Sequence, residues 1–272
     1  IDFTITVTDK DGVRQTGLLP TAFIVKEDGV EKNKTVEALA IPLAVSVALA
    51  LDYSGSMGEL DGQVITDMKT ASKNFIDQLN AGNGDEAAII NFSTTVVLAQ
   101  TYTTDQGVLK ATIDNGYSGD RSQTHLYDAT YKAIEVTFPR DATHSHAVVV
   151  LTDGEDYGGV GLPGSVKTLA EVIDYAKAKG VPIFTIGLGN AQTMILNQMA
   201  NETGGQYFYA PASSQLYAIY QKIADILTGQ YKVTYTQSPN GAIRTLNVLV
   251  DIGGLGNLQG VVTRQISGCP FP

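Results

Sequence analysis

From about residue 42 to residue 229, the chain alternates between strand-like and helix-like patterns of apolar positions. Residues 43–51 are almost continuously apolar, which is typical of a parallel strand buried on both faces. From Val64 to Leu79, apolar residues recur at helical spacing. Further strands are predicted at 87–92, 96–102, 147–151, 182–188 and 206–209, and further helices at 126–137, 166–176, 194–202 and 216–227. These repeated units predict an α/β protein with a doubly wound, mostly parallel sheet that is flanked by helices.

The two ends of the chain have a strand-only pattern. Residues 3–7 alternate between apolar residues and threonines, and a second short strand is predicted at 23–25. The alternation returns at 231–236 and 246–252, and turns are predicted at 9–12 and 239–241. Neither end has enough strands to bury a face alone, so we expect both to build one small β-sandwich-like domain. The expected limits are 1–40 and 230–272 for this domain and 41–229 for the α/β domain.

Composition and charge exclude some classes of function. Acidic residues outnumber basic ones by 28 to 18, giving a net charge of −10, whereas nucleic-acid binding needs clustered Lys and Arg. No apolar run approaches the roughly 18 residues that span a bilayer, so we expect no transmembrane segment in this chain. Cys269 is the only cysteine and has no partner for a disulfide within the chain. The start at Ile1, without methionine or signal segment, indicates a mature or excised stretch.

Oxygen-bearing side chains follow two of the buried strands. Asp52, Ser54 and Ser56 come directly after the first strand, and a second group, which includes Asp153, follows the strand at 147–151. A third group, at 122–124, precedes a helix. In a doubly wound sheet these loops belong at the carboxyl edge of the strands, where ligands bind. Oxygen-only ligands select a hard cation such as Mg²⁺, Mn²⁺ or Ca²⁺, and neutral hydroxyls leave its charge largely uncancelled.

Three motifs in this order resemble those of a known family. Residues 51–57, Leu-Asp-Tyr-Ser-Gly-Ser-Met, resemble the Asp-x-Ser-x-Ser signature of the metal-ion-dependent adhesion site (MIDAS) in von Willebrand factor A domains. Residues 151–154, Leu-Thr-Asp-Gly, resemble the later aspartate motif of that family, and Thr124 resembles its middle threonine. The resemblance covers about 42–229. The flanking strands are similar to extensions found beside some bacterial members of the family.

The resemblance implies roles for five residues. Ser54 and Ser56 would bind the metal through their hydroxyls, and Asp52 would hold waters and the serines. Thr124 and Asp153 would alternate between direct and water-mediated contact, and an Asp or Glu carboxylate of a protein or surface ligand would complete the metal's coordination. The resemblance also implies a location outside the cell or at its surface, including a bacterial envelope.

Several alternatives stay open at this point. The family has a glycine shortly before the threonine, whereas here Gly119 lies five residues earlier, so Ser122 competes with Thr124 for the role. Glu155 and Asp156 are interpreted as solvated loop charges, and the three histidines are not expected to bind this metal. Besides a binding module, which is not an enzyme, the same fold suits a filament or surface-assembly subunit without an active metal site. A metal-dependent phosphotransfer enzyme is a weaker alternative, because Ser54 stands where that chemistry places a second acid.

Overall fold

The structure, a computed structural model, describes residues 2–5, 7, 20–38, 44–58, 63–138, 144–153, 155–188, 193–210, 212–228, 231–236, 244–250 and 262–266. Cys269 and the turns predicted at 9–12 and 239–241 lie outside the described residues. The chain divides into two compact units, one of residues 43–224 and one of residues 1–42 together with 225–272.

The strands and helices of the described residues are numbered along the chain. The strands are β1 (Asp2–Ile5), β2 (Phe23–Glu27), β3 (Val30–Glu31), β4 (Lys34–Ala38), β5 (Val45–Asp52), β6 (Glu86–Phe92), β7 (Val96–Thr103), β8 (Ser145–Thr152), β9 (Ile183–Leu188), β10 (Tyr207–Ala210), β11 (Tyr231–Tyr235), β12 (Arg244–Val250) and β13 (Val262–Ile266). The helices are α1 (Gln63–Gln78), α2 (Gln106–Asn115), α3 (Leu126–Thr137), α4 (Leu169–Lys179), α5 (Thr193–Thr203) and α6 (Leu216–Thr228).

The larger unit is built on a six-stranded sheet in the order β10-β9-β8-β5-β6-β7. All neighbouring strands are parallel except β6 and β7, which are antiparallel. The prediction of a doubly wound, mostly parallel sheet is therefore confirmed. From β5 the chain first adds β6 and β7 on one side and then β8, β9 and β10 on the other. The switch point of the sheet thus lies between β5 and β8, where ligands bind in doubly wound folds.

Helices cover both faces of this sheet because its central strands are apolar on both sides. All eight residues of β5 are buried. Ala48 and Ala50 belong to the core cluster that contains residues of α3, α4 and α5. Because side chains alternate along a strand, the neighbours of these two alanines in β5 face the opposite side of the sheet. On that side α1 packs on α2. The ring centroids of Phe75 in α1 and Tyr220 in α6 lie 5.2 Å apart.

The observed elements differ from the sequence predictions at two helices of the larger unit. Helix α2 was not predicted, because only Leu109 and Ile113 are buried on it and two residues make too short a stripe to recognise. The predicted start of the second helix, at residue 166, is wrong. Helix α4 begins after Thr168, whose side chain accepts a hydrogen bond from the Glu171 amide while the Glu171 carboxylate accepts one from the Thr168 amide. This reciprocal capping box satisfies two free amides of the first turn.

The smaller unit contains two antiparallel sheets that draw on both ends of the chain. One has the order β1-β11-β4 and the other the order β13-β12-β2-β3. Strands β3, β4 and β13 were not predicted from the sequence. One core contains side chains from both sheets: Val7, Phe23, Val25, Val36, Val233, Tyr235, Val248 and Val250. Because residues of both sheets share it, this arrangement is the sandwich-like domain that the two ends were expected to form.

Candidate metal centre

The carboxyl ends of β5 and β8 place the two aspartates of the candidate site next to each other. Leu51 and Leu151 are register partners in this parallel pair. Asp52 is the last residue of β5, and Asp153 directly follows β8. Because the two strands run in the same direction, their next residues emerge at the same edge of the sheet.

Asp52 organises the loop that follows β5. Its Oδ1 atom accepts a hydrogen bond of 2.7 Å from the Ser54 amide. Its Oδ2 atom accepts one of 2.6 Å from the Thr152 hydroxyl, so the carboxylate joins the ends of both strands. An aspartate that accepts from the amide two residues later forms a compact Asx turn. The turn directs the following residues back toward the edge of the sheet.

Burial makes the Asp52 carboxylate costly to ionise in the absence of a cation. The side chain is fully buried. Desolvation raises the pKa of Asp52 to about 6, and the charge of Asp153 raises it too, while the hydrogen bonds from Thr152 and Ser54 lower it. A divalent cation near both carboxylates would offset both effects, because its charge favours the ionised form of Asp52. The electrostatics of this group therefore fit a bound cation.

The serine hydroxyls link the β5 loop to Asp153. The hydroxyl oxygens of Ser54 and Ser56 lie 3.2 Å apart. The Ser56 hydroxyl donates to Oδ1 of Asp153 at 2.9 Å. Ser54 is buried, whereas Ser56 is exposed. Four of the five predicted site residues thus form one hydrogen-bonded group that reaches solvent at Ser56.

Thr124 is brought to the same edge through its backbone and its neighbours. Its amide donates to the Tyr157 carbonyl at 2.8 Å, and its carbonyl accepts from the Tyr157 amide at 2.9 Å. Thr124 is 5% exposed. Next to it, the His125 amide donates to the Ser93 carbonyl at 3.0 Å, which ties this segment to the end of β6.

Arg121 connects the Thr124 segment to the β5 loop. Its carbonyl accepts a 2.8 Å hydrogen bond from the Gly55 amide. Its guanidinium donates to the carbonyl oxygens of Tyr53 and Ser54, the latter at 3.1 Å. A Cβ at Gly55 would lie 3.2 Å from the Arg121 carbonyl, so glycine permits this close approach. Because these hydrogen bonds use main-chain oxygens, they hold the loop without engaging its serine hydroxyls.

The contacts of Ser122 favour Thr124 over Ser122 as the candidate metal-binding residue of this segment. Ser122 is exposed, and its amide and hydroxyl donate to the two carboxylate oxygens of Asp120 at 3.1 and 2.8 Å. These bonds lower the pKa of Asp120, so the pair forms its own turn. The hydroxyl of Ser122 is thus engaged away from the Asp52 group.

Sequence reasoning missed the contribution of two residues to this edge of the sheet. No role is predicted for Arg121 from the sequence, because its partners are main-chain oxygens. The interpretation of Asp156 as a solvated charge is wrong. Its carboxylate accepts hydrogen bonds from the Gly164 and Ser165 amides, both at 2.9 Å, and from the Ser165 hydroxyl. An Asp followed by Gly and Ser eight and nine residues later carries no recognisable local signal.

The described parts of the chain contain no cluster of three His, Cys, Asp or Glu side chains suited to a metal. The candidate centre therefore depends on serine and threonine hydroxyls beside its two aspartates. None of the described helices is both long and apolar enough to cross a bilayer.

Comparison with known proteins identifies the family. The model of the von Willebrand factor type A domain matches residues 46–222, which is well over half of the chain. The protein therefore belongs to the von Willebrand factor A domain family. A curated relative is calcium-activated chloride channel regulator 3A-1 of Mus musculus, which is 28% identical over 169 residues. This match covers 60% of the chain and only 17% of the relative, so the chain corresponds to a small part of that protein.

Solved structures share the fold. Proximal thread matrix protein 1 from the mussel byssus, with a zinc-occupied MIDAS motif, has a TM-score of 0.63 and 19% identity, covering 75% of this chain and 50% of that one. A von Willebrand factor type A protein from Catenulispora acidiphila has a TM-score of 0.59 and 13% identity, covering 93% of this chain and 74% of that one.

Proposed function

We propose that this protein is a binding or adhesion module that captures an acidic residue of a partner through a divalent metal ion. The observation that carries the proposal is the hydrogen-bonded group of Asp52, Ser54, Ser56 and Asp153 at the switch point of the sheet. The group is rich in oxygen, contains two carboxylates and reaches solvent at Ser56. Such a donor set suits a hard cation that keeps a position for an outside ligand.

Each residue has a proposed role. Ser54 and Ser56 bind the metal through their hydroxyl oxygens, and Asp52 orients the loop and holds metal-bound water. Thr124 and Asp153 complete the protein ligands, directly or through water. A bound Mg²⁺, with Mn²⁺ or Ca²⁺ as alternatives, would supply an electrophilic position for the partner's Asp or Glu carboxylate. The zinc-occupied MIDAS motif of the mussel relative supports a divalent ion at a site of this type.

We propose binding and not catalysis. A phosphotransfer aspartate needs a neighbouring acid, and the residue two positions after Asp52 is Ser54. The relatives described above are a channel regulator and a thread matrix protein. The second candidate is a structural assembly subunit with the same fold and no active metal site. The matrix protein supports only the structural role in that candidate, because its own MIDAS motif holds zinc. For both candidates we propose a location outside the cell or at its surface. We also propose that residues 41–229 form the von Willebrand factor A domain and that residues 1–40 and 230–272 form the small β domain.

Calorimetric titration with Mg²⁺, Mn²⁺ and Ca²⁺ separates the two candidates. We expect the wild type to bind at least one of these ions, Ser54→Ala to lose that binding, and Thr124→Ala to weaken it. Ser122→Ala is the matched control, because its hydroxyl is held by Asp120, and it should bind as the wild type does. A wild type that binds none of these ions would favour the structural subunit.

The partner is tested by capture on the immobilised protein. Surface-protein extracts are passed over wild type and Ser54→Ala in Mg²⁺, and bound proteins are eluted with a chelator. We expect capture by the wild type only, and loss of capture when an acidic residue of the partner is changed to its amide. Capture that survives both the chelator and Ser54→Ala would contradict a metal-bridged contact.

A further inference from the structure

Large apolar side chains are concentrated in the loop that follows the Asp153 motif. We call residues 157–166 the apolar loop. Tyr157 is 38% exposed, Val160 95%, Leu162 64% and Val166 88%. Of the eleven exposed large apolar side chains among the described residues, four lie in these ten positions, and the others are distributed over several other elements. Single exposed apolar residues are ordinary, whereas a contiguous group marks an interaction surface.

Backbone hydrogen bonds hold the apolar loop in one conformation. The Gly158 amide donates to the Leu162 carbonyl and the Leu162 amide to the Gly159 carbonyl, both at 3.0 Å. Gly159 and Gly161 have φ angles of 124° and 74°, which residues with a side chain rarely adopt. The Asp156 carboxylate accepts from the backbone where the loop returns. The loop therefore loses little conformational entropy when a partner binds it.

The apolar loop is continuous with the candidate metal centre. Tyr157 and Thr124 exchange two backbone hydrogen bonds, and the Gln123 side chain donates to the Gly158 carbonyl at 3.2 Å. A Cβ at Gly164 would lie 2.3 Å from the Thr124 carbonyl, so the returning chain packs directly on this segment. A partner with its carboxylate at the metal centre would thus have its neighbouring residues beside the loop.

We propose that the apolar loop is a second contact surface of the site, and that it selects a protein segment with apolar side chains two to four residues from the captured acid. This inference rests on the proposed function. An extended segment advances about 3.3 Å per residue, so such side chains lie about 7–13 Å from the carboxylate. Exposed valine and leucine side chains favour a protein partner, because sugars and phosphates present little apolar surface. The net charge of −10 favours neutral or basic residues in the rest of the segment.

The probe is a displayed library of random twelve-residue peptides, selected on immobilised protein in Mg²⁺ and in chelator. The test variant combines Val160→Ser, Leu162→Ser and Val166→Ser, three exposed positions whose change leaves the core intact. The matched control combines Val97→Ser and Val108→Ser, which are exposed apolar residues on β7 and α2. Calorimetry with Mg²⁺ is run on all three proteins.

We expect Mg²⁺-dependent enrichment of peptides that carry an acid with apolar residues two to four positions away. The loop variant should bind these peptides at least ten-fold more weakly while binding Mg²⁺ as the wild type does, and the control should match the wild type. Acidic peptides without an apolar preference, no Mg²⁺-dependent peptides, or equal binding by the loop variant would each overturn the apolar loop as a contact surface. A wild type that binds none of Mg²⁺, Mn²⁺ and Ca²⁺ would instead count against the proposed function itself.

Discussion

Protons should compete with the metal ion at Asp52 in a range of pH that is easy to measure. The pKa of this buried carboxyl in the metal-free protein is about 6. Below that pH the carboxyl is protonated, and the proton must leave before a cation can be held beside it. Metal affinity should therefore fall as the pH falls through 6.

The size of this effect follows from the pKa. With one competing proton, the apparent dissociation constant is multiplied by one plus ten to the power of (pKa − pH), which is about 1.1 at pH 7 and about 11 at pH 5. We therefore expect about ten-fold weaker metal binding at pH 5 than at pH 7. An ordinary aspartate, with a pKa of 3.8, would change the affinity by less than about 10% over the same range.

The assay is a titration with Mn²⁺ at constant ionic strength, with free manganese followed by electron paramagnetic resonance. Thr152→Val provides a second test, because the Thr152 hydroxyl donates to Asp52 and lowers its pKa. Its removal should move the midpoint of the affinity change to higher pH. Affinities at pH 5 and pH 7 that agree within about two-fold would refute the role assigned to Asp52.

Three other substitutions test the supports of the fold and the site. Arg121→Gln removes charged hydrogen bonds to two carbonyls. It should lower the free energy of unfolding, measured with denaturant, by about 2 kcal/mol and weaken metal binding, measured by calorimetry. Unchanged values for both would contradict the role of Arg121 in holding the β5 loop. Thr168→Ala removes the capping box of α4 and should cost about 1 kcal/mol in denaturant unfolding. Gly205→Ala places a Cβ 2.0 Å from the Ile183 carbonyl and should lower the free energy of unfolding by more than about 2 kcal/mol. A Cβ at Gly204 would meet no atom within 4 Å, but this residue has a φ of 82°, so Gly204→Ala should lower the free energy of unfolding by about 1 kcal/mol. Equal losses of unfolding free energy for the two substitutions would refute the steric explanation.

The sequence contained enough information for the sheet and for the meeting of its two aspartates. Strands β5 and β8 are recognisable because they are apolar on both faces, and the strand–helix alternation makes them parallel. Parallel strands deliver the residues after them to one edge, so the sequence alone predicts that Asp52 and Asp153 lie close together.

The contacts of Arg121 and Asp156 could not be predicted in the same way. Arg121 binds carbonyl oxygens of Tyr53 and Ser54, and every residue has such oxygens, so no side-chain pattern indicates the partner. Asp156 accepts from amides eight and nine residues later, which depends on the path of a glycine-containing loop. Helix α2 was missed for another reason, because its apolar stripe has only two buried residues.

The pairing of the outer strands has a consequence for the order of events during synthesis on the ribosome. Strand β11 lies between β1 and β4, and β12 lies between β13 and β2. The amino-terminal strands thus emerge about two hundred residues before their partners. Residues 43–224 can complete their own sheet first, since its six strands all lie within that range. Strand β2 can pair early with β3, but β1, β4 and the other edge of β2 must stay unpaired until residues 231–250 appear. During that interval these free edges are open to aggregation or to chaperones.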